Sequence, residues 1–103
     1  GYADGWRRGL GNEGSVLIHG KRCPMVGRVC MDQFLVDVTS LEGVAEGDVA
    51  TLIGSDGNNS ISASDVALAA GTISWDVLAS LQARLPRFYH RAGAVEALAP
   101  PMW

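Results

Sequence analysis

The hydrophobic spacing of this chain changes once, near Ser62, and that change limits what it can fold into. Before it, apolar residues come in short runs: Ser15 to His19 (SVLIH), Arg22 to Val26, Phe34 to Val38 (FLVDV) and Val49 to Ile53. Each run is closed off by Gly, Pro or polar residues, and such runs read as short strands. After it, Val66, Ala69 and Ala70 recur at helical spacing behind Ser62-Ala63-Ser64-Asp65, whose short oxygen-bearing side chains suit a helix N-cap. Gly71 suits the position just past that helix. A second helix is predicted from Ser74 or Trp75 to about Arg84, with Val77, Leu78, Leu81 and Leu85 on its apolar face and Pro86 stopping it.

The connections follow from turn chemistry. Residues 1–14, with Gly at five positions, read as a loop with one turn. Gly20-Lys21 is the expected hairpin turn, Pro24 marks an edge or bulge, and Gly27 marks a bulge. In Phe34 to Val38, Asp37 faces away from Val36 and Val38. Glu42 to Asp48 reads as a polar turn, and Gly54 to Ser60 (GSDGNNS) as a plain loop. Arg87 to His90 and Ala94 to Leu98 form a strand pair across Ala92-Gly93, and Pro100-Pro101 ends the ordered chain. The expectation is a mainly β fold of about six strands: a small barrel-like β domain with two short helices packed on one side.

A chain of 103 residues holds one domain with a modest core. Acids and bases are mixed and the net charge is -3, which argues against a nucleic-acid surface. No apolar run approaches the roughly 18 residues of a membrane span. Cys23 and Cys30 lie outside any secreted disulfide scaffold or zinc-ligand pattern, and read as two reduced thiols in a cytoplasmic protein. The first residue is not Met, so the chain reads as a piece of a longer protein.

Chemistry concentrates in Gly27-Arg28-Val29-Cys30-Met31-Asp32-Gln33. Arg28, Asp32 and Gln33 interrupt an apolar segment running from Met25 to Val38. Burying them unpaired would be costly, so a partner, ligand or interface is expected to compensate them. His19 and His90 are isolated and read as surface or satisfied residues. No Gly-rich stretch follows a strand and opens a helix, as a phosphate loop requires. Gly5-Trp6-Arg7-Arg8 is either an anion site built on paired guanidiniums or a solvated arginine pair. From the residues alone, the chain is a small β domain carrying part of an anion-binding site.

Four motifs extend this reading. They are Gly1-Tyr2-Ala3-Asp4-Gly5, Pro24 through Gln33 (PMVGRVCMDQ), Gly71-Thr72-Ile73-Ser74-Trp75-Asp76, and Arg84-Leu85-Pro86-Arg87-Phe88-Tyr89. In this order and at these intervals the chain resembles the C-terminal domain of bacterial alanine racemase, over nearly its whole length. The resemblance implies that residues 1–103 are the C-terminal β domain of a larger enzyme. An N-terminal α/β barrel, absent from this sequence, would hold pyridoxal 5'-phosphate. It implies a cytoplasmic head-to-tail homodimer in which this domain closes the partner's barrel mouth. The reaction would interconvert L- and D-alanine and supply D-alanine for peptidoglycan, with the cofactor stabilising the carbanion.

In that family one base is a barrel lysine and the other a tyrosine upstream of the Gly-Tyr-Ala-Asp-Gly motif. Neither falls on this sequence, so the resemblance implies no catalytic base here and an inactive isolated domain. Tyr2 is not that tyrosine.

The resemblance also implies secondary roles. Met31 matches the position whose backbone N–H contacts the substrate carboxylate; read by residue type alone it is a core methionine. Tyr2 matches the narrow inner part of the substrate entrance. Arg8 and Arg28 match its charged middle, with Cys30 and Asp32 nearby; otherwise they are surface ion pairs. Trp75 stands where a tyrosine hydroxyl commonly reaches the cofactor phosphate. Its indole N–H is a donor only. It either keeps that contact in a reshaped pocket or anchors the second helix.

Two other functions stay open: a racemase for serine or a broader set of amino acids, suggested by Trp75, and a non-catalytic binding or dimerisation module, suggested by the missing bases. A domain of this kind without its barrel is expected to expose apolar surface and self-associate.

Overall fold

In the computed structural model, which describes residues 1–99, the first fourteen residues are more ordered than the expected loop. They hold two one-turn 3-10 segments, Tyr2–Asp4 and Arg8–Leu10. Strands β1 (Ser15–Ile18) and β2 (Lys21–Val26) then pair antiparallel. Their turn is His19-Gly20, one residue earlier than expected, because Lys21 already pairs with Ile18. Both turn residues have positive φ, 52° and 74°, as the type I′ geometry of a two-residue hairpin requires.

β2 changes partner halfway. Its first four residues pair with β1, and Met25 and Val26 pair with β3, which is only Leu35–Val36. Pro24 sits at the handover. Its carbonyl accepts the Asp37 N–H at 2.8 Å, but the reciprocal bond cannot form because proline has no N–H. The Asp37 side chain turns instead to Thr39, accepting its N–H at 2.9 Å and its hydroxyl at 2.5 Å. The strand expected over Phe34 to Val38 is shortened accordingly.

Val49 to Ile53 does not form a strand. Thr51 alone of this run bridges to β1, in reciprocal bonds with Leu17 of 2.9 and 2.8 Å, and Val49 is left exposed. Conversely, the expected plain loop is a hairpin, β4 (Gly54–Asp56) and β5 (Asn59–Ile61), turning at Gly57-Asn58. Two contacts hold it to the β1–β2 turn: the Gly20 N–H donates to Asp56 Oδ2 at 2.9 Å, and Asn59 Nδ2 donates to the Gly20 carbonyl at 2.6 Å. A long-range anchor of this kind leaves no trace in local composition.

Helix α1 spans Ala63–Ala70. Ser62 Oγ accepts the Asp65 N–H at 3.0 Å, and Asp65 Oδ2 accepts the Ser62 N–H at 2.8 Å, a reciprocal capping box. Gly71 follows in the left-handed conformation, with the Thr72 N–H returning to the Ala67 carbonyl at 2.9 Å. Helix α2 is Ser74–Ala79, shorter than expected. The Gln82 N–H leaves the helical ladder and donates to the Asp4 carbonyl at 3.1 Å, so the tie to the first turn ends the helix before Pro86 can. Of the expected apolar face, Val77 is buried, Leu81 and Leu85 are half-buried, and Leu78 is exposed. The last hairpin, β6 (Arg87–Arg91) and β7 (Ala94–Ala99), turns on Ala92-Gly93 as the sequence predicts. The Pro100-Pro101 expectation lies outside the described residues.

The fold is mainly β with two short helices, as expected, but among the described residues its sheets are not closed, so the barrel-like description is not confirmed. Among the described residues, seven strands form separate ladders, β1-β2-β3, β4-β5 and β6-β7, and none closes on itself. The two-residue β3 and the single-residue bridge at Thr51 offer too few paired groups to carry one sheet around. Between the first ladder and the helices lies a core of Trp6, Leu10, Leu17, Met25, Val29, Ile61, Val66, Ala67 and Val77. Each large side chain buried there contributes roughly 1.5–3 kcal/mol. Val16, Ile18 and Cys23 form a second cluster on the opposite face of the ladder.

Candidate functional site

Two motifs far apart in sequence meet at the end of this core. The Tyr2 N–H donates to the Cys30 carbonyl at 2.9 Å, and the Ala3 N–H to the Met31 carbonyl at 3.0 Å. Gly1 makes the approach possible, since a Cβ there would stand 2.2 Å from the Cys30 oxygen. Residues 30–33 form a tight loop closed by the Cys30 N–H donating to the Gln33 carbonyl at 2.8 Å. Val29, only 2% exposed, roots the loop in the core, while Cys30, Met31, Asp32 and Gln33 are exposed.

Met31 is therefore no core methionine; it is 54% exposed. Its carbonyl is used, but its N–H meets no acceptor among the described residues. A main-chain donor without an acceptor on a braced, exposed loop is a fixed dipole able to receive a carboxylate. Arg28, Asp32 and Gln33, expected to be compensated by a partner, ligand or interface, are not buried within this chain but exposed on its surface.

Arg8 lies over the Tyr2 ring at 5.9 Å, a cation–π contact worth about 0.5–1 kcal/mol at an exposed site. Both line an open depression of about 470 Å³ with Gly5, Arg7, Ser80 and Gln82. The paired-guanidinium reading of Arg7-Arg8 does not hold. Arg7 is ion-paired to Asp76 and donates to Ser80 Oγ at 2.7 Å, while Arg8 turns to Tyr2. Asp76 is further steadied by the Thr72 hydroxyl at 2.6 Å. Arg28 forms no ion pair among the described residues.

Asp32 is paired. Arg84 donates to its Oδ1 at 2.9 Å, and through Nε to Asp4 Oδ1 at 2.8 Å. Tyr2, Arg8, Cys30, Met31 and Asp32 thus belong to one connected surface. Trp75 makes no contact with these residues; only its sequence neighbour Asp76 touches the surface, as the partner of Arg7. At 79% exposed, Trp75 does not anchor α2; Val77 does. Its indole N–H has no acceptor among the described residues.

Of the residues that brace the site, the sequence reads Arg7 only as half of a guanidinium pair, and Asp4, Asp76 and Arg84 carry no functional reading at the sequence level. Asp76 and Arg84 lie in motifs that appeared only as register marks, and their partners are more than fifty residues away. Three carboxylates sit below the ordinary value of 3.8, on turns and a cap away from this surface. Asp37 is lowered chiefly by the Thr39 hydroxyl, Asp48 by the Ala45 N–H with help from His19, and Asp65 by the Ser62 N–H.

Known proteins share both sequence and shape. The alanine racemase of Methanococcus maripaludis is 52% identical over 89 residues, covering 86% of this chain and 24% of that protein. The crystal structure of alanine racemase from Bacillus anthracis with bound L-Ala-P matches 95% of this chain and 25% of its own, with TM-score 0.85 and 43% identity. Alanine racemase from Bartonella henselae with covalently bound pyridoxal phosphate matches 79% of this chain and 23% of its own, with TM-score 0.68 and 39% identity. The chain spans about a quarter of the length of the curated relatives it matches. The family model described as alanine racemase, C-terminal domain, matches residues 1–89, and with the whole tied surface from Tyr2 to Arg84 inside that match, the chain belongs to the alanine racemase C-terminal domain family.

Proposed function

We propose that this chain serves as the C-terminal domain of a pyridoxal-phosphate-dependent alanine racemase, interconverting L- and D-alanine to supply D-alanine for peptidoglycan. The observation that carries this reading is the Met31 N–H, without an acceptor among the described residues, on an exposed loop braced by the Tyr2 turn. The amide would receive the substrate carboxylate. Tyr2 would narrow the approach, and Arg8 and Arg28 would attract the carboxylate end of the zwitterionic substrate, with Cys30 and Asp32 beside them.

The domain would act across a homodimer, presenting this surface to the barrel of the partner subunit. Exposed Leu35, Leu68, Trp75 and Leu78 support contact with further protein, since they leave apolar area open to water. Both bases, a lysine and a tyrosine, would come from residues outside this sequence, so these 103 residues would orient substrate and exclude water without moving the α-proton.

Pyridoxal phosphate, bound mainly by the barrel, would supply the electron-sink chemistry that makes the α-proton removable. Trp75 fits a role at its phosphate, because an exposed indole N–H can donate to an anionic oxygen. Among the described residues no helix is long and apolar enough to cross a membrane. The reaction would take place in the cytoplasm.

The test is the full-length protein. It is expected to bind pyridoxal phosphate, seen by its absorbance, and to racemise alanine, while residues 1–103 alone do not. A full-length protein without cofactor or activity overturns the reading. Preference for serine or lysine over alanine would replace alanine as the substrate.

A further inference from the structure

Arg84 occupies a position that the proposed function leaves unused. It lies past the end of α2, beyond the substrate-facing residues, yet its guanidinium reaches both motifs that build them. Nε donates to Asp4 of the Tyr2 turn at 2.8 Å, and a terminal nitrogen donates to Asp32 of the Met31 loop at 2.9 Å. The same segment is tied to that turn through its main chain, by the Gln82 N–H on the Asp4 carbonyl at 3.1 Å. Gly5 then packs against Ser80 so closely that a Cβ would stand 2.1 Å from its carbonyl oxygen.

Resting on the racemase reading, we propose that Arg84 is a positioning residue that sets Met31's amide against the Tyr2 ring by clamping Asp4 and Asp32 together. The guanidinium is a planar fork with donors on different edges, so one side chain can hold two carboxylates in a set relation; a lysine ammonium is a point charge with no such fork. Without the cation, Asp4 and Asp32 would face each other as like charges and push the turn and the loop apart. Only the two backbone bonds from Tyr2 and Ala3 would then join them.

The clamp contributes geometry more than stability. Arg84 and Asp32 are both partly exposed, with 38% and 65% of their side chains open, and ion pairs of that kind are weak. Small misplacement of a binding group nevertheless costs substrate affinity steeply. A displaced Met31 amide would weaken a carboxylate contact made equally before and during reaction, which raises KM and leaves kcat nearly unmoved.

Steady-state kinetics of the full-length enzyme test this with R84A, R84K and D4N. R84A is expected to raise KM for L-alanine about tenfold with kcat within about threefold. R84K should fall between it and the parent, and D4N should raise KM in the same direction. A folded R84A with unchanged KM, losing activity only in proportion to folded enzyme, overturns the clamp. Should R84A fail to fold, an unchanged KM in D4N overturns it. A parent enzyme that racemises nothing brings down the function and the clamp together; an active parent with unmoved KM values brings down the clamp alone.

Discussion

Tyr2 and Cys30 are joined main chain to main chain, the Tyr2 N–H donating to the Cys30 carbonyl at 2.9 Å. This bond ties the turn that presents the Tyr2 ring to the loop that presents Met31. Neither side chain makes the connection, so substitutions at Tyr2 or Cys30 should change the chemistry of the surface without undoing its geometry.

The turn itself depends on Gly5. Its φ of 101° lies where L side chains rarely go, and a Cβ would stand 2.1 Å from the Ser80 oxygen. A left-handed residue costs roughly 1–2 kcal/mol by itself, and the overlap adds to it. Gly5→Ala is expected to destabilise this chain by at least about 2 kcal/mol. A urea midpoint equal to the parent's would contradict it.

Helix α1 should be sensitive at its start. Ser62→Ala removes the oxygen that accepts the Asp65 N–H and should cost about 1 kcal/mol. Ser62→Asn keeps an acceptor and should cost little. Equal losses in the two variants, read from thermal midpoints, would rule out the cap as the cause.

Acid should erode the turns. Asp37, Asp48 and Asp65 are held below 3.8 by hydrogen bonds to their charged forms. A carboxylate with a lowered folded value adds stability above its unfolded value, and that stability is lost as pH falls through the folded value. Stability should be insensitive to these three groups between about pH 5 and 7 and fall below about pH 4. Carboxyl carbon NMR titration should show all three midpoints under 3.8; midpoints above it would remove the basis for the effect.

Trp75 separates binding from folding. Being 79% exposed, it can be replaced by Ala with a stability change within about 0.5 kcal/mol. In the full-length protein the same change should weaken pyridoxal-phosphate retention about tenfold, the worth of one hydrogen bond to a charged group. Trp75→Tyr, which restores a donor, should retain the cofactor. Unchanged retention in Trp75→Ala, measured by equilibrium dialysis, would take Trp75 out of the phosphate contact.

What the sequence by itself determined is whatever a few neighbouring residues decide. The α1 cap is Ser62 bonding to Asp65 three residues on, and the last hairpin turns on Ala92-Gly93 because type I′ geometry needs positive φ at adjacent positions. The four motifs were likewise legible, because each is contiguous, and the family followed from them. Only the tertiary structure decided the rest. Val49 to Ile53 is apolar enough for a strand but finds one partner at Leu17, whereas Gly54 to Ser60 is polar enough for a loop but is held as a hairpin by Gly20. Arg7 and Arg8 are adjacent in sequence and part in space because Asp76 waits for one and Tyr2 for the other. Pairing across long stretches of chain depends on which backbone groups and charges arrive at the same place, and no local pattern of residue types encodes that arrival.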